Sequence, residues 1–278
     1  MPFAGIADSI ADLSFRLRRQ ALGHSRTRRA HVYGLGSAKS GTHSLVAMFS
    51  RNVRARHEPE IFDVIDKLLD WRQGRVNERQ FTEWIRERDR NMALEVDSSF
   101  LNYELLDVLL REFRDARYVL TIRDCYSWLD SLFNHILRRS DKKDPRWLKL
   151  PLLRPAPEPL IHAPQEQLLK EKGFGTLDRQ FSWWAQRINN VLTKVPAARL
   201  LVVRTDEITK RAFEIADFCG LPRYAVRQHR SHAFSNPVKA GILRKIDRSF
   251  VEAKVEMHCR ELMTRFFPEI KTMDDARL

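Results

Sequence analysis

Residues 31–36, His-Val-Tyr-Gly-Leu-Gly, form a short β-rich run that closes on glycine, and Ser37-Ala38-Lys39-Ser40-Gly41-Thr42 follows at once. Leu45, Met48 and Phe49 then recur at helical spacing. A strand feeding a glycine loop and then a helix constrains the fold strongly. The helix carries the chain back along the sheet, so the next strand pairs in parallel and both sheet faces become covered.

The remaining chain repeats this alternation. Residues 60–90 read as two polar helices, one presenting Ile61, Val64, Ile65 and Leu68, the other Phe81, Trp84 and Ile85. Residues 92–96 (MALEV) read as a strand and 100–113 as a helix, with Asp97, Ser98 and Ser99 as candidate caps. The clearest buried strand is 117–122 (RYVLTI), followed by a helix over 125–139. Prolines at 145, 151, 155, 157, 159 and 164 mark a long loop or lid. A helix over 176–195, a strand over 199–203, a short helix ending near Gly220-Leu221-Pro222 and a last helix over 246–266 complete the order. The expected class is α/β: a central, mostly parallel sheet flanked by helices, with helical insertions, in one domain over 31–278.

Ahead of it, residues 1–30 form a basic segment in which Ile6, Ile10, Leu13 and Leu17 make a helical stripe beside Arg16, Arg18 and Arg19. It reads as a surface helix docked on the body, or as a peripheral membrane or partner helix. In 278 residues, 43% hydrophobic and 31% charged, the usage is that of a soluble globular chain and excludes disorder and collagen-like repeats. The net charge of +13 calls for an anionic partner: nucleic acid, anionic lipid or a phosphorylated small molecule. Three cysteines, Cys125, Cys219 and Cys259, without CxxC or metal-ligand spacing, argue against a disulfide framework or structural zinc and for a reducing, cytoplasmic setting.

The glycine loop carries the functional signal. Such a turn aims several backbone N–H groups at one point, where a phosphate or sulfate fits. Gly36 and Gly41 have the glycine spacing of the nucleotide loop GxxxxGK[ST], but Thr42 and His43 follow Gly41, and the lysine sits inside the loop at Lys39. In that arrangement the chain resembles the sulfotransferases that use 3′-phosphoadenosine 5′-phosphosulfate (PAPS). Their loop typically reads Pro-Lys-Ser-Gly-Thr-Thr-Trp, where this chain has Ala38-Lys39-Ser40-Gly41-Thr42-His43-Ser44. The Pro, second Thr and Trp are lost, and with the Trp goes an aromatic contact to adenine from this loop.

The resemblance implies a P-loop-like sulfotransferase architecture in which residues 38–43 hold the 5′-phosphosulfate and Lys39 serves the leaving group. It implies further that Arg123 and Ser131, eight residues apart after a strand, clamp the 3′-phosphate. A planar guanidinium fork beside a neutral hydroxyl suits that anion. Cys125 stands where the family often has Pro. Residues 200–208 (LLVVRTDEI) resemble the family's late strand and acidic turn, whose acids read here as caps of the next helix. PAPS is then the donor, 3′,5′-adenosine bisphosphate the product, and no metal is called for.

Sulfuryl transfer also needs a base for the acceptor hydroxyl. Glu58, in a Glu-Pro dipeptide after the loop helix, resembles the base of the carbohydrate sulfotransferases. His57 starts closer to the right proton affinity, and Asp97 is a third candidate. Read structurally, His57 and Glu58 are an exposed pair at a helix start, and Asp97 is a cap. Lys239, Arg244 and Lys245 are candidate nucleotide contacts or solvated charges; the family's Arg-Lys-Gly loop is missing. Trp183 and Trp184 read as core, and Trp147 as an acceptor platform. The acceptor is expected to be a small molecule or carbohydrate hydroxyl, and nucleic acid is not the expected partner. Two alternatives stand beside this reading. One is a small-molecule kinase with a displaced loop lysine and Asp124 on Mg²⁺; the other is a basic nucleic-acid or membrane-surface protein.

Overall fold

The structure, a computed structural model, describes residues 27–49, 52–139, 145–153, 161–230 and 239–278. The proposed amphipathic stripe at Ile6–Leu17 lies outside the described residues, as do parts of the proline-rich loop. Strand β1 (Val32–Gly34) leads through the glycine loop to α1 (Thr42–Ala47) and β2 (Ala55–His57). Helices α2 (Ile61–Arg72) and α3 (Glu78–Met92) precede β3 (Val96–Ser98); α4 (Leu106–Glu112) precedes β4 (Arg117–Ile122). Then come α5 (Cys125–Arg139), α6 (Gln167–Glu171), α7 (Leu177–Lys194), β5 (Leu200–Arg204), α8 (Ala212–Cys219), α9 (Arg248–His258) and α10 (Arg260–Phe266).

All five strands are parallel, in the order β2-β3-β1-β4-β5. The path from β1 runs outward to β2, back to β3, then across β1 to β4. That reversal places the carboxyl end of β1 at the switch point of the sheet, where open α/β folds hold their ligands. Strand alternation decides which side chains meet which helices. Val32, Val96, Val119 and Val203 pack under α1 and α8 with Leu45, Met48 and Ile215. Tyr33, Tyr118, Leu120 and Ile122 face the larger layer, with Ile65 and Phe81 of α2 and α3, Trp128 of α5 and Trp184 of α7. Local signals fix the helix ends: Asn77 and Gln80 form a reciprocal capping box at α3, and Gly220 takes the left-handed position after α8.

Several expectations are corrected. Strand β3 begins at Val96 rather than Met92, because α3 runs through Met92 and ends on Ala93 in the left-handed region (φ 41°). The expected last helix is two: Cys259 (φ −120°) interrupts it, and its buried thiol points to the Phe181 carbonyl at 3.7 Å. Strand β2 had no sequence counterpart, since Ala55-Arg56-His57 lacks apolar alternation and lies at the sheet edge. Ser99 is the cap expected after β3, but Asp97 is not; its carboxylate binds Arg88 and Asn102 instead. Asp206 and Glu207 pair with Arg204 and Arg211 rather than capping α8. Among the described residues no helix is long and apolar enough to cross a membrane, and all three cysteines are buried free thiols.

Candidate functional site

Because the strands are parallel, the turns that follow them gather along one edge of the sheet: the glycine loop after β1, Glu58-Pro59-Glu60 after β2, Ser99 after β3, Arg123 after β4 and Thr205 after β5. The loop is closed by Ser40, whose amide and hydroxyl both donate to Ser37 O at 3.1 and 2.8 Å. Gly36 has no room for a side chain, since a Cβ there would lie 2.0 Å from Thr121 Oγ1. Gly41 sits at φ 101° and Lys39, unusually for a non-glycine residue, at φ 71°.

Three loop carbonyls are tied into the body. Trp128 Nε1 donates to Ala38 O at 3.0 Å, and Ser98 Oγ donates to Thr42 O at 2.9 Å. The Thr205 hydroxyl reaches Ser40 O at 2.5 Å and Ile122 O at 2.9 Å. Among the described residues the amides of Ala38, Gly41 and Thr42 carry no hydrogen bond. Unmatched donors concentrated in one loop fit an anion.

Arg123 stands at the end of the neighbouring strand. It is half-buried, and among the described residues the one hydrogen-bond partner of its guanidinium is Ser127 Oγ, which accepts from Nε at 2.8 Å. Ser127 is itself held by Asp124, whose carboxylate accepts from the Ser127 amide (2.8 Å) and hydroxyl. Asp124 thus caps the start of α5, which leaves no indication of the metal-holding role that the kinase alternative assigns it. Burial lowers the proton affinity of Arg123, opposed by Asp124, Asp130 and Asp206. The Arg123 carbonyl accepts from Trp184 Nε1 at 3.1 Å, which fixes the backbone behind the guanidinium. A small crevice beside it is lined by Ser37, Ser40, Thr121, Arg123, Trp184 and Arg187. Ser131 lies one turn beyond Ser127, half-buried, and makes no side-chain hydrogen bond among the described residues.

The candidate bases differ in their surroundings. His57 Nε2 lies 3.1 Å from Thr42 Oγ1 and 3.6 Å from Glu58 Oε1, and its ring meets that of His43 edge-on at 5.0 Å. His57 therefore meets the first turn after the glycine loop, with the Glu58 carboxylate beside it. Asp97 is buried with both oxygens engaged, Oδ2 by Arg88 Nη1 (3.0 Å) and Oδ1 by Asn102 Nδ2 (3.1 Å). Asn102 also donates to Gly34 O at 3.2 Å, so this network braces β1 against β3.

Lys239, Arg244 and Lys245 are exposed and make no ion pair among the described residues. Ala240 N donates to Asn134 Oδ1 on α5 at 2.7 Å, which brings Lys239 to the helix that carries Ser127 and Ser131. Trp184 is core, as expected, but Trp183 is half-buried, stacked on Trp128 at 5.6 Å and covered by the Arg187 guanidinium at 4.6 Å. Trp147 packs edge-on against Phe62 of α2 at 4.9 Å. Sequence reasoning missed Arg88, Asn102, Ser127, Trp128 and the hydroxyl of Thr205. Only Ser127 carried a usable signal, four residues after Arg123 on a predicted helix.

A family model described as Sulfotransferase domain matches residues 31–210. A crystal structure of a sulfotransferase from Alicyclobacillus acidocaldarius is similar in fold, with a TM-score of 0.51 at 13% identity, covering 87% of this chain and 98% of that one. A sulfotransferase domain from the curacin biosynthetic pathway gives a TM-score of 0.40 at 12% identity, over 86% of this chain and 98% of that one. Among curated protein sequences none matches.

Proposed function

The chain belongs to the sulfotransferase domain family, and on that premise we propose that it moves a sulfuryl group from PAPS to a hydroxyl of a small molecule or carbohydrate. The observation that carries this reading is the half-buried Arg123 fork, bonded through Nε alone among the described residues, beside a loop whose amides at Ala38, Gly41 and Thr42 find no partner among them. The terminal N–H groups of this half-buried guanidinium open to the surface, a planar fork that a phosphate can take up. The residues fit a nucleotide with two anionic ends: the loop amides and Lys39 for the 5′ end, Arg123 and Ser131 for the 3′-phosphate.

Bound there, the donor would supply a sulfuryl group on a good leaving group, adenosine bisphosphate. The protein's part is positioning and charge. Lys39, on a left-handed residue inside the loop, supplies positive charge where negative charge grows on the leaving oxygen. Glu58 takes the acceptor's proton, with His57 beside it at 3.6 Å. Asp97, saturated by Arg88 and Asn102, serves as scaffold. The test is incubation of the purified protein with PAPS and a panel of hydroxyl acceptors, following release of 3′,5′-adenosine bisphosphate. Acceptor-dependent release that Lys39→Ala removes is the expected result. Release that is indifferent to Lys39→Ala contradicts the reading.

A further inference from the structure

The turn after β2 is built against its own backbone preference. Glu58 N donates to Ser98 O at 2.9 Å, so the strand ladder runs up to this residue. The chain then reverses through Glu58 at φ 51°, Pro59, and Glu60 at φ 52°. Two non-glycine residues in the left-handed region, one on each side of a proline, persist only where the surroundings hold them. Glu60 occupies the cap position of α2 and makes no side-chain cap bond.

What holds the turn is Arg88 of α3, a side chain 8% exposed. Its Nη2 donates to Pro59 O at 2.8 Å, its Nε lies 3.4 Å from Glu60 Oε2, and its Nη1 donates to Asp97 Oδ2 at 3.0 Å. One guanidinium therefore grips the carbonyl that follows Glu58, the carboxylate after that, and strand β3. We infer that Arg88 is a positioning residue for the transfer reaction, clamping the strained Glu58-Pro59-Glu60 turn so that the Glu58 carboxylate faces the glycine loop. The inference rests on the reading of Glu58 as the base. Lysine cannot replace this grip in full, because a single ammonium lacks the planar fork that reaches Pro59 O and Asp97 together.

The test is a double-mutant cycle on turnover, with Glu58→Gln, Arg88→Met and the pair, and with calorimetric binding of 3′,5′-adenosine bisphosphate as the check on folding. Arg88→Met is expected to lower kcat by ~30-fold with bisphosphate affinity within about twofold of wild type, and Arg88→Lys to restore part of the loss. In the Glu58→Gln background the same Arg88→Met change is expected to cost less than about twofold. Glu60→Gln probes the clamp from its other side without emptying the buried position; it is expected to lower kcat severalfold with Glu58 present and not in the Glu58→Gln background. Equal factors in both backgrounds, or wild-type kcat in both Arg88→Met and Glu60→Gln, overturn the assignment of Arg88 while leaving Glu58 as the base. Wild-type kcat in Glu58→Gln overturns the base itself, and the role of Arg88 falls with it.

Discussion

Replacing Arg123 by alanine separates the two ends of the proposed nucleotide site. Among the described residues the Arg123 side chain makes one hydrogen bond, from Nε to Ser127 Oγ at 2.8 Å, so its loss should cost the fold only about 1 kcal/mol. Its terminal nitrogens are the part offered to the ligand. Two charge-assisted bonds to a phosphate in a half-buried setting, each ~1.5 kcal/mol, amount to about 3 kcal/mol, or roughly 150-fold in affinity. Calorimetry on wild type and Arg123→Ala should therefore show 3′,5′-adenosine bisphosphate weakened by ~100-fold and 5′-AMP by no more than about threefold. Equal losses for both nucleotides would refute the assignment, because the guanidinium would then be acting on something other than the 3′-phosphate. A large drop in melting temperature in Arg123→Ala would refute the premise that its remaining donors await a ligand.

Three further outcomes are expected. Lys39→Ala should abolish transfer with the fold intact, read by turnover and melting temperature, whereas Lys39→Gly, also inactive, should be more stable than Lys39→Ala by up to about 1 kcal/mol because it relaxes the left-handed backbone. Thr205→Val removes the hydroxyl shared by Ser40 O and Ile122 O and should weaken bisphosphate binding about tenfold; unchanged binding would show that the loop holds its shape without that tie. Asp89 is burdened by burial, which raises its pKa, but hydrogen bonds and charge from His31 and Arg28 outweigh that and hold it below the ordinary carboxylate range. The carboxylate therefore stabilises the fold above its unfolded pKa of ~4, and this contribution fades as pH falls through the lower folded value. Urea midpoints measured from pH 7 to pH 3 should fall less steeply for Asp89→Asn than for wild type, and parallel curves would contradict the assignment.

The legible part of the sequence was the part in which local pattern and chemistry coincide. Val32 to Gly36 and Arg117 to Ile122 are apolar runs closing on a loop, so strand and site residue were read together, and Lys39 and Arg123 do stand at the ends of adjacent strands. β2 was not legible because its burial comes from pairing with β3, not from apolar side chains. The resemblance pairs Arg123 with Ser131 as two contacts to one phosphate; that Ser127, one turn closer, braces the guanidinium is seen only in the fold. Asp97 read as a cap because its neighbours are cap residues. Its true partner, Arg88, comes from the preceding helix, and only the tertiary fold joins them. The Thr205 hydroxyl adjoins the acids Asp206 and Glu207, and its bond to Ser40 spans 165 residues, a separation that no local pattern reports.

The most direct test of the central claim is calorimetric titration of the wild-type protein with 3′,5′-adenosine bisphosphate, without divalent metal, beside 5′-AMP and ATP·Mg²⁺. The account predicts binding near the micromolar range, about 8 kcal/mol, with a preference of ~100-fold over 5′-AMP set by the 3′-phosphate. Preference for ATP·Mg²⁺ would contradict it in favour of the kinase alternative, and no binding of any of the three would contradict it and return the glycine loop and Arg123 to a structural role.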